Sequence, residues 1–307
     1  MADAPLWTLA HLALAYTPGP ETPARAVAPL MRLGDITGFP PPLPGARGEE
    51  GKRMDDAELA GLQHAVQVDP ANREARLALL HGLLAAQRWQ DAEELGGALL
   101  QSDPVPAVVH TCMGIIYGKQ ARWEEAVQQC RLALALQPDD ALTLFNLAHL
   151  LVRQDDGKAA LECLEQAITH APDWAEAQYT HGTLLLTEER YQEAVRAFDR
   201  ALEYRTIYPE AHFNRGNAYA LRALNSDGSL DYYELDCAVN AYKMAIQQQP
   251  GYAAALYNLG MLYKRMGSAE GLRVWNQYLE ATQDLPDEEL WRLRAQEYLH
   301  DQQDRLR

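Results

Sequence analysis

Prolines stand at positions 70, 104, 138 and 172 of this 307-residue chain, each 34 residues after the last. A fixed period of that size marks a stacked array in which one supersecondary unit repeats. Other positions keep the same period. With Ala107, Ala141, Ala175, Pro209 and Ala253 as first positions, the eighth reads Gly114, Ala148, Gly182, Gly216 and Gly260, and the twentieth reads Ala126, Ala160, Ala194 and Ala238. Small residues at these points let two helices cross closely. Larger apolar groups surround them: Tyr117, Leu151, Leu185, Tyr219 and Tyr263 at the eleventh position, and Leu164, Phe198 and Tyr242 at the twenty-fourth. Ala133, Ala167, Ala201 and Ala245 follow at the twenty-seventh, where the second helix meets the next unit. Each unit reads as a helical hairpin that cannot bury its apolar face alone, so stacking supplies the core.

This set of size-restricted positions resembles the tetratricopeptide repeat (TPR) family from about Asp55 to Asp284. The resemblance implies an all-α fold, a right-handed superhelical array (α-solenoid) of antiparallel helix pairs, A and B, in about six units plus capping helices. The units fall near 73–106, 107–140, 141–174, 175–208, 209–252 and 253–284, within an array spanning 53–284. Departures are local. Leu80 occupies a small-residue position, Thr206 replaces the terminating proline of the fourth unit, and the last unit fits only with one residue deleted before Trp275. Asp55 to Val68 reads as a lone B helix.

Residues 1–52 form a separate Pro-rich segment with a short apolar helix, Leu6 to Ala15. That helix has about half the ~20 residues needed to span a bilayer. No Lys or Arg precedes it and prolines follow it, so a cytoplasmic location is expected, with export the lesser reading. Residues 17–52 have linker composition with a polyproline tendency. At the other end, Pro286 followed by Asp287, Glu288 and Glu289 suits a helix start. Trp291, Ala295, Tyr298 and Leu299 then make one stripe, so residues 285–307 read as a C-terminal capping helix.

Composition limits function. The net charge of −16 opposes binding to nucleic acid. Four cysteines, Cys112, Cys130, Cys163 and Cys237, without a CxxC pair suit a reducing compartment and give no zinc framework. No P-loop, GxGxxG, HExxH or nucleophile elbow occurs, and His149, His181 and His212 fall at the ninth, seventh and fourth positions of successive A helices. The chain is therefore expected to be no enzyme and to need no cofactor.

In the family it resembles, A helices line a concave groove that holds segments of partner proteins. Position five here reads Thr111, Phe145, Tyr179, Phe213, Tyr257, and position six reads Cys112, Asn146, Thr180, Asn214, Asn258. An asparagine offers a donor and an acceptor, so a row of them can pair with the backbone of an extended peptide while aromatics bury its side chains. The row resembles the asparagine ladder in the repeat domain of the transferase that attaches N-acetylglucosamine to proteins, interrupted here at Thr180. The expected peptide-binding groove is Phe145, Asn146, His149, Tyr179, Thr180, Phe213, Asn214, Asn217, Tyr257 and Asn258. Lys119, Arg153, Lys264 and Arg265 lie at its margin, where they suit an acidic ligand or simply the C-terminal ends of helices. The clamp that co-chaperones use, Lys at position five and Asn at nine, is not matched by Phe213 with Asn217. The expected function is a scaffold or adaptor for a protein or peptide. The alternative is a structural assembly or secretion factor acting through its convex face, its termini or self-association.

About ten residues are inserted in the fifth unit. Ala223 to Glu234 partly fits a calcium-binding loop, with Asn225, Asp227, Asp231 and Glu234 as candidate ligands and Ala223 where the first carboxylate belongs. The same residues also read as an Asp-Gly turn followed by a capping box.

Overall fold

The computed structural model describes residues 56–223, 230–285 and 288–305. The apolar stretch near the N-terminus and the proline-rich segment after it lie outside the described residues. Among the described residues there are fourteen helices: α1 Asp56–Val68, α2 Arg73–Ala85, α3 Trp89–Leu99, α4 Ala107–Lys119, α5 Trp123–Leu136, α6 Ala141–Arg153 and α7 Gly157–His170, followed by α8 Ala175–Thr187, α9 Tyr191–Tyr204, α10 Pro209–Arg222, α11 Tyr232–Gln248, α12 Ala253–Arg265, α13 Glu270–Thr282 and α14 Glu289–Arg305. The even-numbered helices from α2 to α12 are the A helices and each is followed by its B helix. The architecture is all-α, an α-solenoid built from helix pairs.

Local chemistry sets the helix boundaries. Asn72 and Asp140 accept the N–H of Ala75 and Thr143 at 3.0 and 3.1 Å and so cap α2 and α6, and Pro209 opens α10. Between the two helices of a pair the fifteenth position takes a left-handed conformation: Gln87, Ala121, Asp155, Glu189 and Gly267 have φ of 59, 59, 62, 58 and 67°. The next N–H then reaches back to the carbonyl of position eleven, as in Arg88 to Leu83, Arg122 to Tyr117, Asp156 to Leu151, Arg190 to Leu185 and Ser268 to Tyr263, at 2.8 to 3.0 Å. This six-to-one bond closes the A helix and starts the B helix antiparallel to it. Sequence reading missed the device because only Gly267 is a glycine there. Thr206, which stands in place of a proline, sits in a connection held otherwise: Gln248 donates Nε2 to the Thr206 carbonyl and accepts the Tyr208 N–H, both at 2.8 Å.

Packing explains the recurring small residues. A Cβ built on Gly114 would lie 2.7 Å from Cys130 Sγ, and one on Gly182, Gly216 or Gly260 would lie 2.8, 2.6 or 2.8 Å from the rings of Phe198, Tyr242 and Trp275. Positions eight and twenty-four therefore form one lock, in which the B-helix side chain fills the space over the A-helix glycine. Trp275 occupies the twenty-fourth place of the last unit, as the single-residue deletion requires. The first pair differs: Leu80 stands at position eight and Gly96 at twenty-four, and a Cβ added to Gly96 would collide with Met113 Sδ while meeting Leu80 Cδ1 only at 3.8 Å.

Contacts divide the chain between Ala177 and Gln178, within α8. In the first unit α1 packs on α2, α3 packs against α2 and α4, α5 against α4 and α6, and α7 against α6, while α2, α4 and α6 touch in succession. Leu59, Leu80, Leu99, Met113 and Ile116 lie in its core. In the second unit α10 to α13 stack likewise, and α14 closes the stack against α12 and α13. Trp291 and Ala295 are buried in a core with Tyr242, Tyr257, Trp275 and Tyr278, and Tyr298 and Leu299 pack against it, as the stripe predicted.

Candidate functional site

The aromatic side chains at position five face inward. Phe145 stacks on Trp174 with centroids 4.6 Å apart, Tyr179 on Tyr208 at 4.9 Å, and Phe213 on Tyr252 at 5.1 Å. Tyr257 lies edge-on to Trp275, Tyr278 and Trp291 at 5.4, 5.4 and 5.6 Å. Neighbouring rings of the same chain hold Phe145, Phe213 and Tyr257 in the interior, and Tyr179 is half-buried against Tyr208. Trp174, Tyr208 and Tyr252 each immediately precede an A helix, a recurrence that sequence reading passed over. Phe145 also meets His149 edge-on at 4.5 Å.

The asparagines divide into two groups. Asn214 donates Nδ2 to Tyr179 Oη at 2.9 Å and accepts from Asn217 Nδ2 at 3.2 Å. Asn217 Oδ1 in turn accepts from Tyr242 Oη at 2.7 Å and from Asn258 Nδ2 at 3.0 Å. Buried Asn214, Asn217, Tyr242 and Asn258 and half-buried Tyr179, from α8, α10, α11 and α12, thus form one network, and the next residue on α8, Thr180, is buried. Burial pushes the Tyr179 and Tyr242 hydroxyls well above the ordinary tyrosine range, so both remain donors. Asn214, Asn217 and Asn258 thus bond to one another and to Tyr179 and Tyr242. Asn146 on α6 differs. It is fully buried, and neither Nδ2 nor Oδ1 has a hydrogen-bond partner.

The margin cations meet rings. Lys119 Nζ lies 5.8 Å from the Trp89 centroid and the Arg153 guanidinium 5.4 Å from that of Trp123. Each pairs the last turn of an A helix with the ring that starts the preceding B helix. Lys264 Nζ lies 3.3 Å from the Tyr298 ring centroid. Arg265 is exposed. The recurrence of these charges thus has a structural origin in inter-helix cation–π contacts.

Residues 141–173 and 179–237 each match the family model of the tetratricopeptide repeat. The chain thus contains tetratricopeptide repeats over these two segments. The TPR fold is also what solved structures share with it. A crystal structure of MamA protein is 22% identical over a match covering 60% of this chain and 95% of that one, with a TM-score of 0.53. MamA 41-end from Desulfovibrio magneticus RS-1 is 16% identical, covering 59% and 97%, with a TM-score of 0.52. YrrB, described as a TPR protein with an unusual peptide-binding site, is 21% identical, covering 68% and 97%, also at 0.52. At these identities the likeness is one of fold. No curated protein matches the sequence.

Within the fifth TPR hairpin the described residues leave the calcium reading little support. Asn225 and Asp227 lie outside the described residues. Asp231 Oδ1 accepts the N–H of Tyr233 at 2.9 Å and of Glu234 at 3.3 Å, capping α11. Both oxygens of Glu234 accept from Arg222 Nη2 at 2.6 Å. The proposed bidentate ligand is thus already neutralised by a guanidinium, and the capping reading accounts for Asp231. Among the described residues no group of three or more His, Cys, Asp or Glu side chains is placed to hold a metal ion. Burial raises the thiols of Cys112 and Cys130 to about 12, which makes both poor nucleophiles. No described helix is long and apolar enough to cross a membrane.

Proposed function

We propose that this TPR protein is a non-enzymatic, cytoplasmic scaffold that holds an extended segment of a partner protein against the face formed by its A helices. The carrying observation is the direct succession of α2, α4 and α6, in which each A helix touches the next. Such a face is continuous across repeats and suits a ligand that is long in one direction. The peptide-binding site named for YrrB, a protein of the same fold, is consistent with this use. The residues expected near this face are Asn146 and His149 on α6, with Lys119 and Arg153 at its margin. The strong negative charge turns the protein toward polypeptides and away from nucleic acid. Panning a phage-displayed library of random dodecamers on the full chain tests the reading. Recovery of dodecamers that bind in solution supports it, and failure to enrich any binder overturns it.

A second reading, self-association, draws on Leu290 and Leu293, each 54% exposed on α14. Sedimentation equilibrium separates the two. An oligomer dispersed by Leu290→Glu with Leu293→Glu supports this second reading, and a monomer at all concentrations ends it.

A further inference from the structure

Positions two, six, nine and thirteen of an A helix fall on one line, about 100 to 160° round the helix from position eight. Position eight meets the B helix, as Gly182 meets Phe198, Gly216 meets Tyr242 and Gly260 meets Trp275, so the line is turned away from the B helices. In the second unit the middle of the line reads Thr180 and Thr183 on α8, Asn214 and Asn217 on α10, and Asn258 and Met261 on α12. None of these side chains is more than 8% exposed. The ends are open, with Thr187, Glu210 and Arg265 exposed. A face that met only water would not be dry along its centre and wet at its ends.

The packed helices do not account for this cover. Among the described residues α10 packs chiefly on α9 and α11, and α12 on α11, α13 and α14, which are B helices and the end cap. The bonds from Asn214 to Tyr179 and from Asn258 to Asn217 run sideways from one A helix to the next and place nothing above them. Outside the described residues the chain has 1–55, 224–229, 286–287 and 306–307. Residues 224–229 are closed at their base, where the Asp231 N–H bonds to the Ala223 carbonyl at 2.9 Å. A six-residue loop that returns to its start reaches only roughly 10 Å, too little to cross three helices packed about 8 to 10 Å apart. The N-terminal segment alone is long enough. Its longest apolar stretch is Leu6 to Ala15, and the roughly 40 residues from there to Asp56 extend to about 120 Å at ~3.1 Å per residue, ample to bring it to α8, α10 and α12.

We infer that residues 6–15 of this chain lie across the A helices of the second unit, over Thr183, Asn217 and Met261, and must leave before a partner segment docks there. The cover follows from burial and chain length; its role as a gate rests on the docking reading above. The chemistry of the two sides agrees. Residues 6–15 contain no Asp, Glu, Lys or Arg, and neither do the covered positions, although the protein as a whole is strongly charged. Charge appears on the line only at its open ends, in Glu210 and Arg265. A tethered occupant competes at an effective concentration of roughly millimolar, so a free ligand binds the face only by displacing it.

Three natural methionines read the cover. Met244 is exposed, Met113 is fully buried in the core of the first unit, and Met261 lies under the cover. In the full chain treated with dilute hydrogen peroxide, mass spectrometry should find Met244 oxidised and the other two protected. Leu9→Asp with Leu12→Asp should speed oxidation of Met261 at least about tenfold while Met113 stays protected. Oxidation of Met113 as well would mark a lost fold, and a second measurement then decides. Trp7 is replaced by p-benzoylphenylalanine, one aromatic for another, and the otherwise natural chain is irradiated at high dilution. Cross-links within the chain to α8, α10 or α12 support the inference. Cross-links that miss all three helices, or a Met261 that stays protected in the folded double variant, overturn it and leave the docking reading standing. Dodecamers recovered on the full chain should bind the open variant at least about tenfold tighter. An opened Met261 with unchanged dodecamer affinity overturns the gate while the cover stands.

Discussion

Asn258 donates Nδ2 to Asn217 Oδ1 at 3.0 Å, and the same oxygen accepts the Tyr242 hydroxyl at 2.7 Å. One acceptor thus satisfies donors from two further helices in a site closed to water. Asn217→Ala leaves both donors unpaired and is expected to destabilise the protein by about 2 to 4 kcal/mol. Urea unfolding measures it. A midpoint equal to that of the natural chain would show that the network is not continuous.

The glycine lock makes a coupling prediction. Gly114→Ala drives a methyl to within 2.7 Å of Cys130 Sγ and should cost about 1 to 3 kcal/mol. In a Cys130→Ala background the sulfur is gone, and the same glycine change should cost almost nothing. A double-mutant cycle reads the difference, and additive losses would contradict the lock.

Four non-glycine residues hold left-handed conformations between paired helices, which is strained for a side chain with a Cβ. Ala121→Gly and Glu189→Gly should each stabilise by up to about 1 kcal/mol, whereas Gly267→Ala should destabilise by a similar amount. Differential scanning calorimetry detects either sign as a shift in Tm.

Stability should depend on pH through two histidines. His212 is lowered from 6.5 to about 4 by burial first and then by Arg215, whose Nη2 lies 3.4 Å from Nδ1. His181 is lowered to about 4 by burial and then by Arg190. Between those values the unfolded chain binds protons that the folded chain refuses. The stability from the neutral rings is therefore complete above pH 6.5 and declines as pH falls toward 4. Replacing His212 by Gln should flatten the dependence of the urea midpoint on pH across that window, and an unchanged slope would remove His212 from the account.

The helix pairs were legible because small side chains recur where backbones must approach, and size is written in the sequence. Leu80 looked like a defect because position eight was read without Gly96 at position twenty-four, where Met113 of the next hairpin takes the space. The left-handed turn residues were invisible, since Gln87, Ala121, Asp155 and Glu189 carry no signal for that conformation. The site was read less well. Phe145, Tyr179, Phe213 and Tyr257 were assigned to a groove because a repeat profile gives the position of a side chain but not what stacks on it. Trp174, Tyr208 and Tyr252, one residue ahead of each following A helix, decide that. Likewise Asn146 and Asn214 share a register, and only their neighbours 35 residues earlier, Thr111 and Tyr179, separate an open amide from a satisfied one.

That separation is tested most directly by the unfolding free energies of Asn146→Ala and Asn214→Ala measured side by side in urea without ligand. Asn214→Ala breaks two interior hydrogen bonds and is expected to lose about 1 to 3 kcal/mol. Asn146→Ala removes an amide that has no partner and should leave stability unchanged or raised. Equal losses at the two positions would mean that Asn146 is bonded within the fold.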